Sequence, residues 1–425
     1  MKDRILVRGG KSLSGSVRVQ GAKNSALPVL AACALNGGVS VIENCPGLSD
    51  TDAMLDILRY IGCRVTVKAN TVTVDSSKLK RWDVPRELMH RLRSSIIILG
   101  ALLARTGKAE VSGPGGCELG ARPIDLHLSG LSSLGVDVRY SDGTIEAVRN
   151  GTRGGEVVLA LPSVGATENL MLYGTCCREG VTVVNAAREP EICDLGAYLS
   201  AAGYAVEGVG SAVVRVARGR GTKRHVVHRI IPDRIVSATW LCAVASAGGE
   251  AELINTPADY LASVSGVLSR AGCRIAGTEK GIYVCRKGRL RAPGEVIRTG
   301  PFPCFPTDAQ PLVSSVLATA AGTTVVEENM FENRFSHLTE LCRMGADVKL
   351  RGKYAVINGV DCLDGRTVTS HDLRGGAALV VAGLSARGET AVLDMGYIDR
   401  GYENIVETLR SLGADVERTE DRAIN

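Results

Sequence analysis

Residues 112–127, SGPGGCELGARPIDLH, gather Cys117, Arg122, Asp125 and His127 within a few positions of one another. A thiolate is a nucleophile and a thiol a proton donor, while a guanidinium grips a carboxylate or phosphate through two parallel hydrogen bonds. A thiol beside Arg122 should be more acidic than a free cysteine, and therefore more reactive. Four glycines and two prolines between Gly113 and Pro123 exclude a helix or a central strand, so the segment reads as a loop carrying the thiol. A buried, inert thiol is the commoner fate of cysteine, and the glycine-rich polar setting argues against it here.

Two other stretches could do chemistry. In SVGATENLML, residues 163–172, a glycine-containing turn precedes a helix, and its backbone N–H groups could hold a diphosphate without a Walker motif. In FPTDAQ, residues 305–310, Asp308 stands ahead of the helical run AQPLVSSVLATAAG, where local pattern favours a helix cap.

Elements must position these residues, and the chain spells them six times. A leucine-rich helical stretch, then Gly, two residues and Val or Ile, recurs as LDILRYIGCRV, LSGLSSLGVDV, LGAYLSAAGYAV, VSGVLSRAGCRI, LTELCRMGADV and VETLRSLGADV. The glycines Gly62, Gly135, Gly203, Gly272, Gly345 and Gly413 fall 73, 68, 69, 73 and 68 residues apart by subtraction. Glycine there predicts a left-handed helix end leading into a strand. Upstream of each lies a second helical run that is apolar nearly all round, such as TWLCAVASAGGEAELIN, which predicts a buried helix. Each unit of about 70 residues therefore reads helix, strand, helix, strand, strand. Six copies in 425 residues predict two α/β domains of three units each.

Composition narrows the function. A net charge of +5, no dense Lys/Arg run and 4% aromatics predict no nucleic-acid partner. The longest apolar run, SSIIILGALLA, is too short to span a bilayer, and MKDRILVRGG has no signal-peptide core, so a cytoplasmic protein without membrane attachment is expected. Thirteen scattered cysteines without a C-x-x-C pair predict reduced and mostly buried thiols, and no clustered ligand set suggests a metal.

Eight motifs in order carry a resemblance along essentially the whole chain. They are GAKNSALP, PGGCELGARPIDLH, SVGATENLML, AAREPEI, FPTDAQ, FENRFSHL, DLRGGAAL and IDRGYENI. Together they resemble the UDP-N-acetylglucosamine 1-carboxyvinyltransferase family. That resemblance implies the two-domain enolpyruvyl transferase fold, an inside-out α/β barrel in each domain with helices inside and sheets outside. It implies an active site in the interdomain cleft. It implies a discontinuous domain of residues 1–22 and 232–425, with residues 23–231 inserted. The implied reaction moves the enolpyruvyl group of phosphoenolpyruvate to the 3-hydroxyl of UDP-N-acetylglucosamine, releases phosphate, and opens peptidoglycan synthesis without cofactor or metal.

The same resemblance assigns roles. Lys23, Arg122 and Arg400 become the cations that hold the donor, with Arg93 and Arg374 nearby. Asp308 becomes the base at the acceptor hydroxyl, whereas sequence alone favours its capping role. Cys117 becomes the acid that protonates C3 of the donor from a mobile loop, with Lys23 a possible second source of that proton. Acceptor contacts fall on Asn24, Arg122, Pro123, Ile124, Asp125, Leu126, Ser163, Val164, Gly165 and Asp308, and Met330 and Arg334 are further substrate-binding residues.

The chain departs from the family pattern at Ile97, Val236, Tyr397 and the pair Gly375–Gly376, where the family reads Ala-Ser and where glycines are expected to loosen a loop around Arg374. Two rivals remain at this stage. One is the sister 5-enolpyruvylshikimate-3-phosphate synthase family, whose G-N-A-G-T type motif is not found here. The other is a paralogue that binds the nucleotide sugar without turnover, against which Lys23, Cys117, Arg122, Asp308 and Arg400 speak.

Overall fold

The structure is a computed structural model and describes residues 3–113, 124–221 and 223–420. Two compact units divide the described chain: one of residues 3–20 and 232–420, the other within 21–231. The first division falls two residues before the expected one. Ala22 is already bound into the second unit, its N–H donating to the Ile231 carbonyl at 2.8 Å. In the first unit the N–H of Asp233 donates to the Gln20 carbonyl at 2.9 Å.

Each unit holds three four-stranded sheets of one pattern: an edge strand parallel to its neighbour, followed by two antiparallel pairings. In the second unit His225–Arg229 runs parallel to Val39–Glu43, which pairs antiparallel with Thr71–Asp75, and that strand pairs with Arg64–Lys68. The sequence reading lacks the parallel edge strands. Two of them, Asp83–Val84 and Thr367–Thr369, are only two and three residues long, too short for an alternating pattern to show.

In the first unit the two ends of the chain complete one sheet. Strand Asp3–Arg8 lies between Glu389–Leu393 and Asp415–Glu420, with Ile5 opposite both Val392 and Arg418. In the second unit the last strand, His225–Arg229, closes onto the first, Val39–Glu43.

The all-apolar runs form the centre of each unit. In helix Arg234–Ala247 every residue from Ile235 to Ser246 is buried, and it packs pairwise with helices Gln310–Leu317 and Leu373–Gly383. In the second unit helix Ile98–Thr106 packs against both Lys23–Ala32 and Val164–Gly174. Each unit has its own apolar core. The second helix of each repeat buries one side only. Ser336–Arg343, for example, buries His337, Leu338, Glu340 and Leu341.

All six repeat glycines are left-handed, with φ of 106°, 81°, 94°, 115°, 96° and 92° in chain order. Asn44, Asn185, Asn255 and Asp394 form a second recurring device, each at positive φ just after the strand that follows a buried helix. Asn and Asp tolerate that conformation because their short polar chains can bond locally. Asn44 and Asn185 use theirs to reach the carbonyls of Ile230 and Leu159, both at 2.9 Å.

Among the described residues no helix is long and apolar enough to cross a membrane. Seven of the twelve described cysteines are buried, whereas Cys304 and Cys342 are exposed.

Candidate active site

Cys117, Arg122 and Pro123 lie outside the described residues. The remaining candidates divide between the two units, and each unit builds its own group.

In the second unit Lys23 is the first residue of helix Lys23–Ala32 and Asn24 the second. Lys23 is 8% exposed, and its ammonium sits 2.9 Å from a carboxylate oxygen of buried Asp50. Asp50 lies in the first turn of helix Ser49–Tyr60, where negative charge is favoured. Two nearly buried opposite charges hold each other in place, and removing either leaves the other uncompensated. Arg93, half-buried, opens the short helical turn Arg93–Ile97, with Ile97 buried.

The two segments expected to hold the acceptor meet through His127. Ile124, Asp125 and Leu126 start helix Asp125–Ser133, which packs on helix Val164–Gly174. Ser163 caps the latter helix, its hydroxyl accepting from Ala166 N–H at 3.3 Å. That cap starts the helix at Val164, so Gly165 lies within the first turn and not in a turn ahead of it, as the sequence suggested. A side chain at Gly165 would meet the His127 ring at 2.9 Å, which explains the glycine by close approach. The Asn169 amide is donated both to Ile96 O at 3.0 Å and to His127 Nδ1 at 2.7 Å, while its oxygen accepts from Gly100 N–H at 2.7 Å. His127 Nδ1 is therefore an acceptor and the ring is neutral. Burial, joined by Arg93 and opposed by Asp125, lowers its pKa to about 4.

In the first unit the group gathers around Arg334, 1% exposed. Its Nε donates to Thr307 Oγ1 at 3.1 Å, Nη1 to Asp372 at 3.5 Å, and Nη2 to Asp308. The Phe331 ring centroid lies 5.2 Å from its guanidinium carbon. The second oxygen of Asp308 lies 3.5 Å from Nε of Arg374, an ion pair without a hydrogen bond. Burial alone would lower the pKa of Arg374, but Tyr402, Asp308 and Asp233 more than offset it, so the guanidinium stays charged. Its Nη1 donates to Tyr402 Oη at 3.4 Å.

Asp308 does not cap a helix. Helix Gln310–Leu317 starts after Ala309 with no side-chain cap, and the carboxylate turns to the two arginines instead. The caps that form belong to Asp372, which accepts from the N–H groups of Arg374 and Gly375, and to Asp233, which accepts from those of Ile235 and Val236. Val236 is buried in that first turn.

Gly375 and Gly376 are not in a loop. They occupy the first turn of helix Leu373–Gly383, fully packed. A Cβ at Gly376 would stand 2.2 Å from Ser370 Oγ and 2.8 Å from Ile398, so neighbouring side chains fill the space a larger residue would need. Ile398 belongs to the short helical turn Met395–Arg400, which packs on the same helix and carries Tyr397 and half-buried Arg400. Gln20 fixes the residues that follow, donating to Gly401 O at 3.2 Å and accepting from Glu403 N–H at 3.0 Å.

The structure thus brings Asp308, Arg334 and Arg374 together in one unit, and Ile124–Leu126 with Ser163–Gly165 in the other. Sequence reasoning missed Asp50, Thr307, Asp372, Tyr402 and Glu328. Of these, only Asp372 had a local signal, a helix-capping residue directly before an apolar run.

The EPSP synthase (3-phosphoshikimate 1-carboxyvinyltransferase) family profile matches residues 7–409. A UDP-N-acetylglucosamine 1-carboxyvinyltransferase 2 of Caldanaerobacter subterraneus subsp. tengcongensis is 48% identical over 416 residues, covering 98% of this chain and 99% of that protein. A UDP-N-acetylglucosamine 1-carboxyvinyltransferase of Rhodospirillum centenum is 40% identical, covering 99% of each. Among solved structures, the enolpyruvyl transferase NikO from Streptomyces tendae superposes with a TM-score of 0.88 at 26% identity, covering 98% of this chain and 99% of that one. EPSP synthase from Acinetobacter baumannii gives 0.77 at 17% identity, covering 99% and 100%, which is a likeness of fold.

Proposed function

We propose a reaction for this chain from one premise: it belongs to the EPSP synthase family, and within it to the UDP-N-acetylglucosamine 1-carboxyvinyltransferases. It transfers the enolpyruvyl group of phosphoenolpyruvate to the 3-hydroxyl of UDP-N-acetylglucosamine and releases phosphate, in the service of peptidoglycan synthesis. The observation that carries this reading is 48% identity sustained over 98% of the chain. We further propose that the protein works in the cytoplasm.

The donor carries a phosphate and a carboxylate, which call for several fixed cations. In our reading Lys23, Arg122 and Arg400 supply them, with Arg93 and Arg374 adding positive charge. Asp308 takes the proton of the acceptor hydroxyl as its oxygen attacks C2 of the donor, and Cys117 delivers a proton to C3. In the second half the Cys117 thiolate left by that transfer takes a proton back from C3 as phosphate departs with the electron pair of its bond to C2, which restores the double bond. Asn24, Arg122, Pro123, Ile124, Asp125, Leu126, Ser163, Val164, Gly165, Met330 and Arg334 hold the acceptor. The grip of Arg334 and Arg374 on Asp308 supports this assignment, because a base must be placed before its basicity matters.

A phosphate-release assay with both acceptors tests the reaction. Release from phosphoenolpyruvate is expected with UDP-N-acetylglucosamine and absent with shikimate 3-phosphate. The reverse pattern would move the chain to the sister activity named by the family profile.

A further inference from the structure

We propose that Glu328, acting through the hydroxyl of Thr307, is a positioning residue that fixes the Arg334 guanidinium against Asp308; this role rests on the reaction proposed above. Glu328 directly follows strand Thr323–Glu327 and is buried. Its neighbour Glu327 pairs with Arg298 and Lys353, at 2.9 and 2.7 Å. Glu328 turns the other way. One of its oxygens accepts from the N–H groups of Met330 and Phe331, at 2.8 and 3.2 Å. Both of its oxygens lie 3.1 Å from Thr307 Oγ1.

The direction of this chain follows from hydrogen-bond capacity. A carboxylate only accepts, so the single hydroxyl proton of Thr307 points at Glu328. That orientation leaves a lone pair on Oγ1 for Nε of Arg334, 3.1 Å away. With Nη1 on Asp372 and Nη2 on Asp308, each of the three guanidinium nitrogens then has its own acceptor. A planar fork with three fixed acceptors has one orientation. Glu328 also shapes the Met330–Phe331 turn and so places the ring beside that guanidinium. One buried carboxylate thereby sets the base, its arginine and the loop carrying Met330.

The test is a double-mutant cycle on the intact chain with Glu328→Gln and Thr307→Val, read as KM for each substrate. Gln keeps an acceptor for the Met330 and Phe331 N–H groups but aims an amide donor at Thr307. Val keeps the shape of threonine and removes its hydroxyl. Each single change is expected to raise KM for UDP-N-acetylglucosamine by about tenfold, the loss of roughly one hydrogen bond to a charged group. KM for phosphoenolpyruvate should stay within about twofold, since a purely structural defect would move both together. The double variant should be no worse than Thr307→Val, because the two residues act in series. Additive effects, parallel rises in both KM values, or no change in either variant would each overturn the role. Absence of turnover by the parent chain would overturn the reaction itself, before any variant is compared.

Discussion

At the scale of residues, the candidate charges satisfy one another within each unit. Lys23 has Asp50, and Arg334 has Asp308 and Asp372. Motif-level reading located Lys23, Asp308 and Arg334 but not what holds them. Asp50 lies 27 positions from Lys23, and Glu328 lies 21 from Thr307, so only folding pairs them. The cap assigned to Asp308 failed for a related reason: local pattern favours a cap, and two nearby guanidinium groups outcompete one backbone N–H. Burial also sets a pH response. His127 has a pKa of about 4 when folded against an ordinary 6.5, so between these values the unfolded chain binds more protons and stability rises with pH. Its contribution is complete above about pH 6.5 and is lost toward pH 4, at most about 3 kcal/mol. Glu168 works in the opposite sense, because burial and the nearby Glu191 and Glu189 raise its pKa. The comparison therefore belongs between parent and His127→Gln. Urea midpoints measured at pH 7.5 and pH 5 should fall less on acidification in the variant, and an equal fall would remove His127 from the response.

At the scale of elements, the six glycine-ended helices and the all-apolar helices were legible because their causes are local: a left-handed turn and an uninterrupted apolar surface. The parallel edge strands were not, because their partners lie in other repeats. The Gly375–Gly376 pair shows how far a local reading can mislead. Glycine usually signals freedom, yet here it marks crowding from Ser370 and Ile398. The family's serine at position 376 would collide with the Ser370 hydroxyl this chain carries. Gly376→Ala should accordingly cost about 1–3 kcal/mol through overpacking, despite alanine's better helix propensity. Adding Ser370→Gly should recover part of that loss in thermal unfolding. A stabilising Gly376→Ala would show that the turn has room after all.

At the scale of the whole molecule, each unit has its own core and closes its own sheets. The inserted unit begins and ends with Ala22 bonded to Ile231, so its termini already meet. Residues 21–231 expressed alone should fold, giving a cooperative melt and dispersed amide spectra; a fragment that stays unfolded would show that its core is insufficient. Removing residues 415–425 should cost the other unit its stability while leaving the 21–231 transition in place, because strand Asp3–Arg8 would lose one of its two partners.

That last pairing has a consequence for synthesis on the ribosome. Strand Asp3–Arg8 leaves the ribosome long before either of its neighbours, Glu389–Leu393 and Asp415–Glu420. The nascent chain can finish its inserted portion early, whereas Asp3–Arg8 must wait, edges bare, until both partner strands have been made.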